Sequence, residues 1–135
     1  MNAKIILIVF VIDITSLHAC GPFTPRHTAC RNCNLFETNI KRRDSFNLSV
    51  EKITMSYGVN TDGCKFATLQ CSNPAAKDIL IEWYGPFDRS LGITGPVKYT
   101  NKVIALITCN QHSEWTFTEN DKTEVIQSAT CEYIQ

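Results

Sequence analysis

Apolar and polar residues alternate with a period of two along much of the chain, which is the pattern of β-strands with one buried face. Phe46, Leu48 and Val50 alternate with polar residues at the start of this region, and Trp115 and Phe117 do so near its end. No stretch keeps the apolar period of 3.6 residues that marks an amphipathic helix. The chain is therefore predicted to be all-β.

The strands are predicted to be short, because turn signals recur about every ten residues. The alternation slips by one residue at Glu51-Lys52, which indicates a β-bulge or a break between strands. Segment 103–107 is apolar at every position, which indicates a central strand covered on both faces. Six or seven strands result, at about 46–50, 53–57, 64–71, 78–84, 103–109, 113–118 and 123–131.

Residues 85–96 are predicted to form an irregular loop. They hold three of the six glycines and two of the five prolines of the chain, and these residues interrupt regular structure. Many short strands without helices favour a β-sandwich or an open barrel.

The N-terminus has the order of a secretory signal peptide: Lys4, an apolar run at 5–12, then the small residues Thr15, Ser16 and Ala19. Eight apolar residues are far fewer than the roughly 20 that span a membrane as a helix. The alternative is a buried N-terminal strand. The predicted organisation is a signal peptide at 1–19, an extended leader at 20–29 and a six-cysteine β domain at 30–135.

Seven cysteines in a short exported chain indicate a disulfide framework. Cys20 lies at the predicted cleavage point, where it would be removed, stay free or pair with another chain. The other six form an even set: Cys30, Cys33, Cys64, Cys71, Cys109 and Cys131. Together with the strand pattern, these six cysteines predict a small disulfide-stabilised β-sandwich. An immunoglobulin-like or open-barrel variant is the alternative.

The sequence does not fix the pairing of these cysteines, since six allow 15 arrangements. Cys64 and Cys71 would lie about 23 Å apart in an extended strand, too far to bond to each other. Because they are an odd number of residues apart, their side chains would leave opposite faces of the strand and bond to different neighbours. Cys109 and Cys131 could bond to each other if strands 103–109, 113–118 and 123–131 form a meander.

Cys30-Arg31-Asn32-Cys33 is a C-x-x-C motif with three interpretations. A zinc site needs a second close ligand pair, and the spacing of Cys64 and Cys71 does not supply one. A thioredoxin-like redox pair needs a βαβ unit, which an all-β chain lacks. The favoured interpretation is two structural cysteines, each bonded elsewhere.

Charge and residue spacing argue against several functions. Lys plus Arg and Asp plus Glu balance at 13 each, so the chain lacks the basic surface of nucleic-acid-binding proteins. His27 and His112 have no Ser/His/Asp or Cys/His context, and the carboxylates show no paired arrangement for acid–base catalysis. We therefore predict no catalytic residues, no metal site and no cofactor.

The cysteines and their neighbours follow an order that resembles the nematode secreted six-cysteine domain family. Its elements here are Cys30-x-x-Cys33, Gly63-Cys64 with Cys71, Thr108-Cys109-Asn110 followed by Trp115, and a final Cys131. The resemblance covers about residues 30–131. It implies an extracellular location, three disulfides within the domain and no known activity. Cys20 is similar to an upstream cysteine of some members, and Trp83 departs from the family pattern.

Trp83 also suggests a second family. Cys71, Trp83 and Cys131 have the spacing of cysteine, tryptophan and cysteine in immunoglobulin domains, although residue 129 is Ala where that fold has a Tyr. This alternative would make the chain an adhesion domain of the immunoglobulin superfamily.

Three surface features are candidates for modification or binding. Asn47-Leu48-Ser49 is an N-glycosylation acceptor in an exported chain. Lys41-Arg42-Arg43 is a basic triplet that would be a processing site, a contact for sulfated glycans or simply a solvated loop. Within loop 85–96, Phe87, Asp88, Arg89 and Leu91 are the candidate binding residues, because loops on rigid scaffolds carry recognition.

These features predict a secreted, non-enzymatic recognition or structural protein. Its partner would be an extracellular protein or glycan, with no nucleic acid and no membrane span involved. The competing hypothesis is a secreted protease inhibitor or defence effector, in which an exposed loop would enter an active site.

Overall fold

The computed structural model describes residues 29–38, 49–95 and 101–134. Within these ranges the chain forms two β-sheets and three disulfides, which confirms the predicted small, disulfide-stabilised, all-β fold. Ten strands are described: β1 Glu37–Thr38, β2 Ser49–Glu51, β3 Thr54–Val59, β4 Lys65–Ser72, β5 Asp78–Tyr84, β6 Ser90–Thr94, β7 Lys102–Cys109, β8 Trp115–Glu119, β9 Lys122–Val125 and β10 Ser128–Ile134.

Each sheet has five strands. Sheet A has the order β1-β10-β5-β6, and β2 also pairs with β10. Sheet B has the order β3-β4-β7-β8-β9. Strand β1 runs parallel to β10, and the other pairs within both sheets are antiparallel.

The core consists of the inward-facing positions of the central strands. Leu69 of β4, Ile79 and Ile81 of β5 and Ile107 of β7 are fully buried. Each fully buried aliphatic side chain contributes roughly 1.5–3 kcal/mol relative to exposure. Period-two alternation on strands from both sheets therefore produces one apolar layer.

The disulfides bond Cys30 to Cys64, Cys33 to Cys109 and Cys71 to Cys131. As predicted, the two cysteines of the C-x-x-C motif bond to different partners, and so do Cys64 and Cys71. The first two bonds fasten segment 29–33 to sheet B, and the third joins β4 of sheet B to β10 of sheet A.

The Cys109–Cys131 disulfide that the sequence allowed does not form, because the predicted strand 123–131 is in fact two strands. Strands β7, β8 and β9 do form a meander in sheet B. The chain then leaves this sheet after Val125, and β10 pairs with β5 in sheet A. Cys109 and Cys131 thus belong to different sheets.

The expectation of an irregular loop at 85–96 is also wrong, since β6 occupies 90–94 and pairs with β5. The register shifts beside Tyr84, so that Leu91 is an extra residue in β6. Gly92 has φ +133°, a conformation that L side chains rarely adopt. The glycine that suggested a loop therefore serves a bulged edge strand.

Strand β7 is central in sheet B, as predicted, but it is covered on one face only. Val103, Ala105 and Ile107 are buried, whereas Ile104 and Leu106 are 55% and 54% exposed. The continuous apolar run thus combines a core face with an apolar outer face. The phase slip at Glu51-Lys52 proves to be a strand break, since β2 lies in sheet A and β3 in sheet B.

The immunoglobulin-like spacing corresponds to a real spatial relation. The Cys71–Cys131 bond connects the two sheets, and Trp83 lies on β5, the neighbour of the strand that carries Cys131. Immunoglobulin domains have the same relation between their disulfide and tryptophan strand. The connectivity differs, because β8 and β9 come between β7 and β10, and because β1 and β2 pair with β10.

Several sequence predictions concern residues outside the described ranges. These are the signal peptide at 1–19, most of the leader at 20–29 with Cys20 and His27, the basic triplet 41–43, and Phe46, Asn47 and Leu48.

Candidate recognition site

The turn between β5 and β6 has an unusual backbone for its sequence. Phe87 has φ +62° and ψ +35°, and Asp88 has φ +55°. The amide of Arg89 donates to the carbonyl of Pro86, and the amide of Gly85 donates to the carbonyl of Arg89, at 3.4 and 2.9 Å. Two central residues with positive φ define a type I′ turn.

Phe87 is poorly suited to this backbone and fully exposed. Type I′ turns favour Asn-Gly or Asp-Gly at their centre, and positive φ in a bulky residue is an outlier. The left-handed conformation costs such a residue about 1–2 kcal/mol. The side chain is 101% exposed, so no packing within the protein offsets that cost. Strain without an internal benefit is a signature of functional positions.

The structure separates the four predicted binding residues into two groups. Phe87, Asp88 and Arg89 are exposed at the tip of the turn. Leu91 is half-buried, packs against the core and lines a cleft behind the turn. The tip and the cleft are the two parts of the candidate site.

The cleft has a volume of about 260 Å³ and lies between β6 of sheet A and the β8–β9 hairpin of sheet B. Trp83 and Phe117 line it and stack with ring centroids 4.2 Å apart. The Trp83 indole donates to the Thr94 hydroxyl at 2.8 Å, which fixes the ring. At Gly92 an added Cβ would meet no atom within 4 Å, so the absence of a side chain leaves this part of the wall open.

The other wall of the cleft is polar and charged. Glu119, Asn120, Lys122 and Glu124 line it. Lys122 forms an ion pair with Glu124. The hydrogen bond and charge of Lys122 lower the pKa of the Glu124 carboxyl, and the charge of Arg89 adds to this effect.

A second cavity, of about 370 Å³, lies between segment 34–37 and the β8–β9 region. The indole of Trp115, which lines it, donates to the carbonyl of Asn34 at 2.8 Å. Leu35 on its wall is exposed. Among the residues that line this cavity, only Ser113 has positive φ. Backbone strain therefore supports a functional site here less than it does at the Phe87 turn.

A buried polar cluster on the outer face of sheet A was missed by the sequence analysis. Glu82 and Glu132 are buried on neighbouring strands, with Thr130 directly opposite Glu82. The hydroxyls of Tyr84 and Ser90 donate to Glu82 at 2.6 and 2.7 Å. The prediction that the carboxylates show no paired arrangement for acid–base catalysis stays a prediction. The sequence signal for this cluster was two pairs of polar residues, Glu82 with Tyr84 and Thr130 with Glu132. The members of each pair are two residues apart and therefore lie on the same face of their strand.

Burial raises the pKa of Tyr84 to about 12, and its hydrogen bond to Glu82 adds to the rise. Tyr84 therefore stays protonated as a hydrogen-bond donor throughout the physiological range. Glu82 and Glu132 are 5% and 3% exposed, which leaves a dissolved substrate no access to them. The cluster supports the base of the Phe87 turn, because Tyr84 pairs with Ser90.

His112 is the one histidine among the described residues, and the prediction that the chain has no catalytic residue stays a prediction. His112 lies exposed in the β7–β8 turn, where its amide donates to Asn110 Oδ1 at 2.8 Å. Across 29–38, 49–95 and 101–134, no group of three or more His, Cys, Asp or Glu side chains is placed to hold a metal ion. None of the helices in these ranges is long and apolar enough to cross a membrane.

Comparison of the chain with protein-family models, with curated proteins and with solved structures finds no match.

Proposed function

We propose that this chain is a secreted, non-enzymatic recognition protein that binds an extracellular protein through the Phe87 turn and the adjoining cleft. One observation carries the proposal: a fully exposed phenylalanine is held in a left-handed conformation that gives the isolated fold nothing in return. A partner that buries the ring would supply the missing benefit, since central aromatic anchors dominate many interfaces.

Export is supported by the disulfides. Three bonds within a small chain form and persist in oxidising compartments such as the extracellular space. Three disulfides within the domain are also what the resemblance to nematode secreted six-cysteine domains implies, so membership of that family is part of the same proposal.

A protein partner is favoured over a glycan by the chemistry of the tip. Phe87 offers an apolar ring, and Asp88 and Arg89 beside it offer one charge of each sign. An apolar pocket with a polar rim is the usual complement on a protein surface. The protease-inhibitor hypothesis gains less support, because a substrate-like loop is extended, whereas Phe87 and Asp88 are left-handed.

The proposal is tested by screening the secreted protein against arrays of extracellular domains and of glycans. We expect at least one protein partner whose binding falls tenfold or more in Phe87→Ala. The matched control is Val59→Ala, which removes another exposed apolar side chain, on β3 of sheet B, and should leave binding unchanged. Partners that bind Phe87→Ala as tightly as the native protein, or binding to glycans alone, would contradict the proposal.

A further inference from the structure

The outer face of sheet B carries no charged side chain over its central area. Outward positions alternate with inward positions on all five strands. The outward residues are Thr54, Ser56 and Gly58 of β3, Phe66, Thr68 and Gln70 of β4, Ile104, Leu106 and Thr108 of β7, Thr116 and Thr118 of β8, and Thr123 and Val125 of β9. Lys102, exposed at the first position of β7, lies at the margin of this face.

Apolar side chains occupy the middle of the face. Leu106 is the central outward residue of β7, which is the middle strand of the sheet. Leu106 and Ile104 are each more than half exposed. Phe66 lies flat against the sheet, since a Cβ added at Gly58 would be 2.5 Å from Phe66 Cζ. The result is a level apolar centre, the kind of surface that marks an interaction site.

Four hydroxyls of this face, on β7, β8 and β9, already bond to one another. Thr108 and Thr116 hydroxyls lie 3.2 Å apart, and Thr118 and Thr123 hydroxyls 2.8 Å apart. The Thr116 hydroxyl is also within 2.9 Å of the Thr108 carbonyl. Covering polar groups that keep internal hydrogen bonds costs much less than covering unpaired ones.

We propose that a second copy of this chain packs on the outer face of sheet B, so that the protein forms a face-to-face homodimer. A face without charges is compatible with itself in any two-fold arrangement, because no like charges meet. Two sheets can pack face to face with interdigitating side chains about 10 Å apart.

The size of the face limits how much surface a dimer can bury. Five strands spaced about 4.8 Å apart, with about five residues of each at 3.4 Å per residue, cover roughly 400 Å² on each copy. Two copies would together bury roughly 800 Å², which is less than the roughly 1,200 Å² of stable specific interfaces, so association would be weak and reversible. The proposal is therefore a concentration-dependent dimer.

Sedimentation velocity over roughly 10 µM to 1 mM tests the proposal, a range that suits a small interface. The native protein should shift from monomer to dimer across this range. Leu106→Lys and Leu106→Glu should each weaken association at least tenfold. In a two-fold dimer the centre of the face meets its own copy. An equimolar mixture of the two variants should therefore regain association, which misfolded variants would not do.

The matched control is Ile93→Lys, which charges an exposed isoleucine on β6 of sheet A. It should dimerise like the native protein. The proposal is overturned if the native protein stays monomeric throughout the range, if the Leu106 variants associate normally, or if their mixture does not recover. It is equally overturned if Ile93→Lys weakens association as much as Leu106→Lys.

Discussion

Two tight turns in this molecule share positive φ at both central residues but have very different sequences. Pro86–Arg89 joins β5 to β6 in sheet A, and Glu119–Lys122 joins β8 to β9 in sheet B. Both have positive φ at their two central residues, at 62° and 55° for Phe87-Asp88 and at 50° and 62° for Asn120-Asp121. Asn and Asp tolerate this conformation because their short polar side chains bond locally, whereas Phe does not.

The difference shows which turn has a sequence that the fold alone explains. Asn120-Asp121 is what a hairpin needs, and the turn can be explained without a partner. Phe87 opposes the local preference and stays in solvent, so its presence calls for a reason outside the isolated fold. The Glu119–Lys122 turn lines the cleft, and β6, which follows the Phe87 turn, forms its opposite wall. Each turn can therefore serve as a control for the other.

The largest expected effect comes from removing the ring pair that both hairpins share. Trp83→Ala would leave Phe117 without its stacked neighbour and open a cavity in the core, at a cost of about 3–5 kcal/mol in the free energy of unfolding. Urea unfolding measures this loss. Trp83→Phe, which keeps a stacked ring, should lose clearly less. Equal losses would show that the stack does not support the two turns.

Alkaline pH should weaken the base of the Phe87 turn. The pKa of Tyr84 is raised from 10.0 to about 12. A raised pKa means that the folded state favours the protonated phenol. Its contribution to stability is complete below pH 10 and is lost as the pH rises to 12. At 1.36 kcal/mol per unit, the loss is at most about 2.7 kcal/mol.

Urea unfolding of the native protein and of Tyr84→Phe at pH 9 to 12 tests this expectation. The native protein should lose more stability across the range than the variant, in which that phenol is absent. Parallel losses in the two proteins would contradict the assignment.

Placing the wrong residue in the second turn should reproduce the strain of the first. Asn120→Phe should lower the free energy of unfolding by about 1–2 kcal/mol, because a bulky residue would enter the left-handed conformation. Asn120→Gly is the control and should be neutral or slightly stabilising, since glycine adopts positive φ readily. If Asn120→Phe is as stable as the native protein, a bulky residue in this conformation is not strained, and the explanation of the difference between the two turns is contradicted.

The smallest expected effect is a gain in stability. Phe87→Asn should raise the free energy of unfolding by about 1 kcal/mol, because it relieves strain and removes no internal packing. Phe87→Ala keeps a Cβ in the left-handed conformation and should gain less. A stability loss in Phe87→Asn would mean that the ring packs within the protein.

The alternation of residues predicted most strands because it reflects a local property. On β4, β5 and β8 the apolar phase coincides with the core face. On β7 the same reasoning placed Ile104 and Leu106 in the interior, since a hydrophobic residue is compatible with either environment until the neighbouring sheet is known. Strand β6 was missed because a bulge and Gly92 hide its alternation.

Features that depend on sheet assignment could not be derived from the sequence. The partner of Cys109 follows from β10 crossing to sheet A, and the Glu82–Glu132 cluster follows from β5 and β10 being neighbours. The candidate loop could be located from its composition. Its strain could not, since Pro-Phe-Asp-Arg lacks the Asn-Gly signal of a type I′ turn.

The disulfides interlace along the chain, and this has a consequence for proteolysis. Cys33–Cys109 and Cys71–Cys131 both connect the parts of the chain before and after Arg89. A protease that cuts this exposed turn would leave two fragments covalently joined, so the nicked protein would migrate as one species until a reductant is added. The new chain end would free Phe87 from its left-handed geometry while β5 and β6 stay paired.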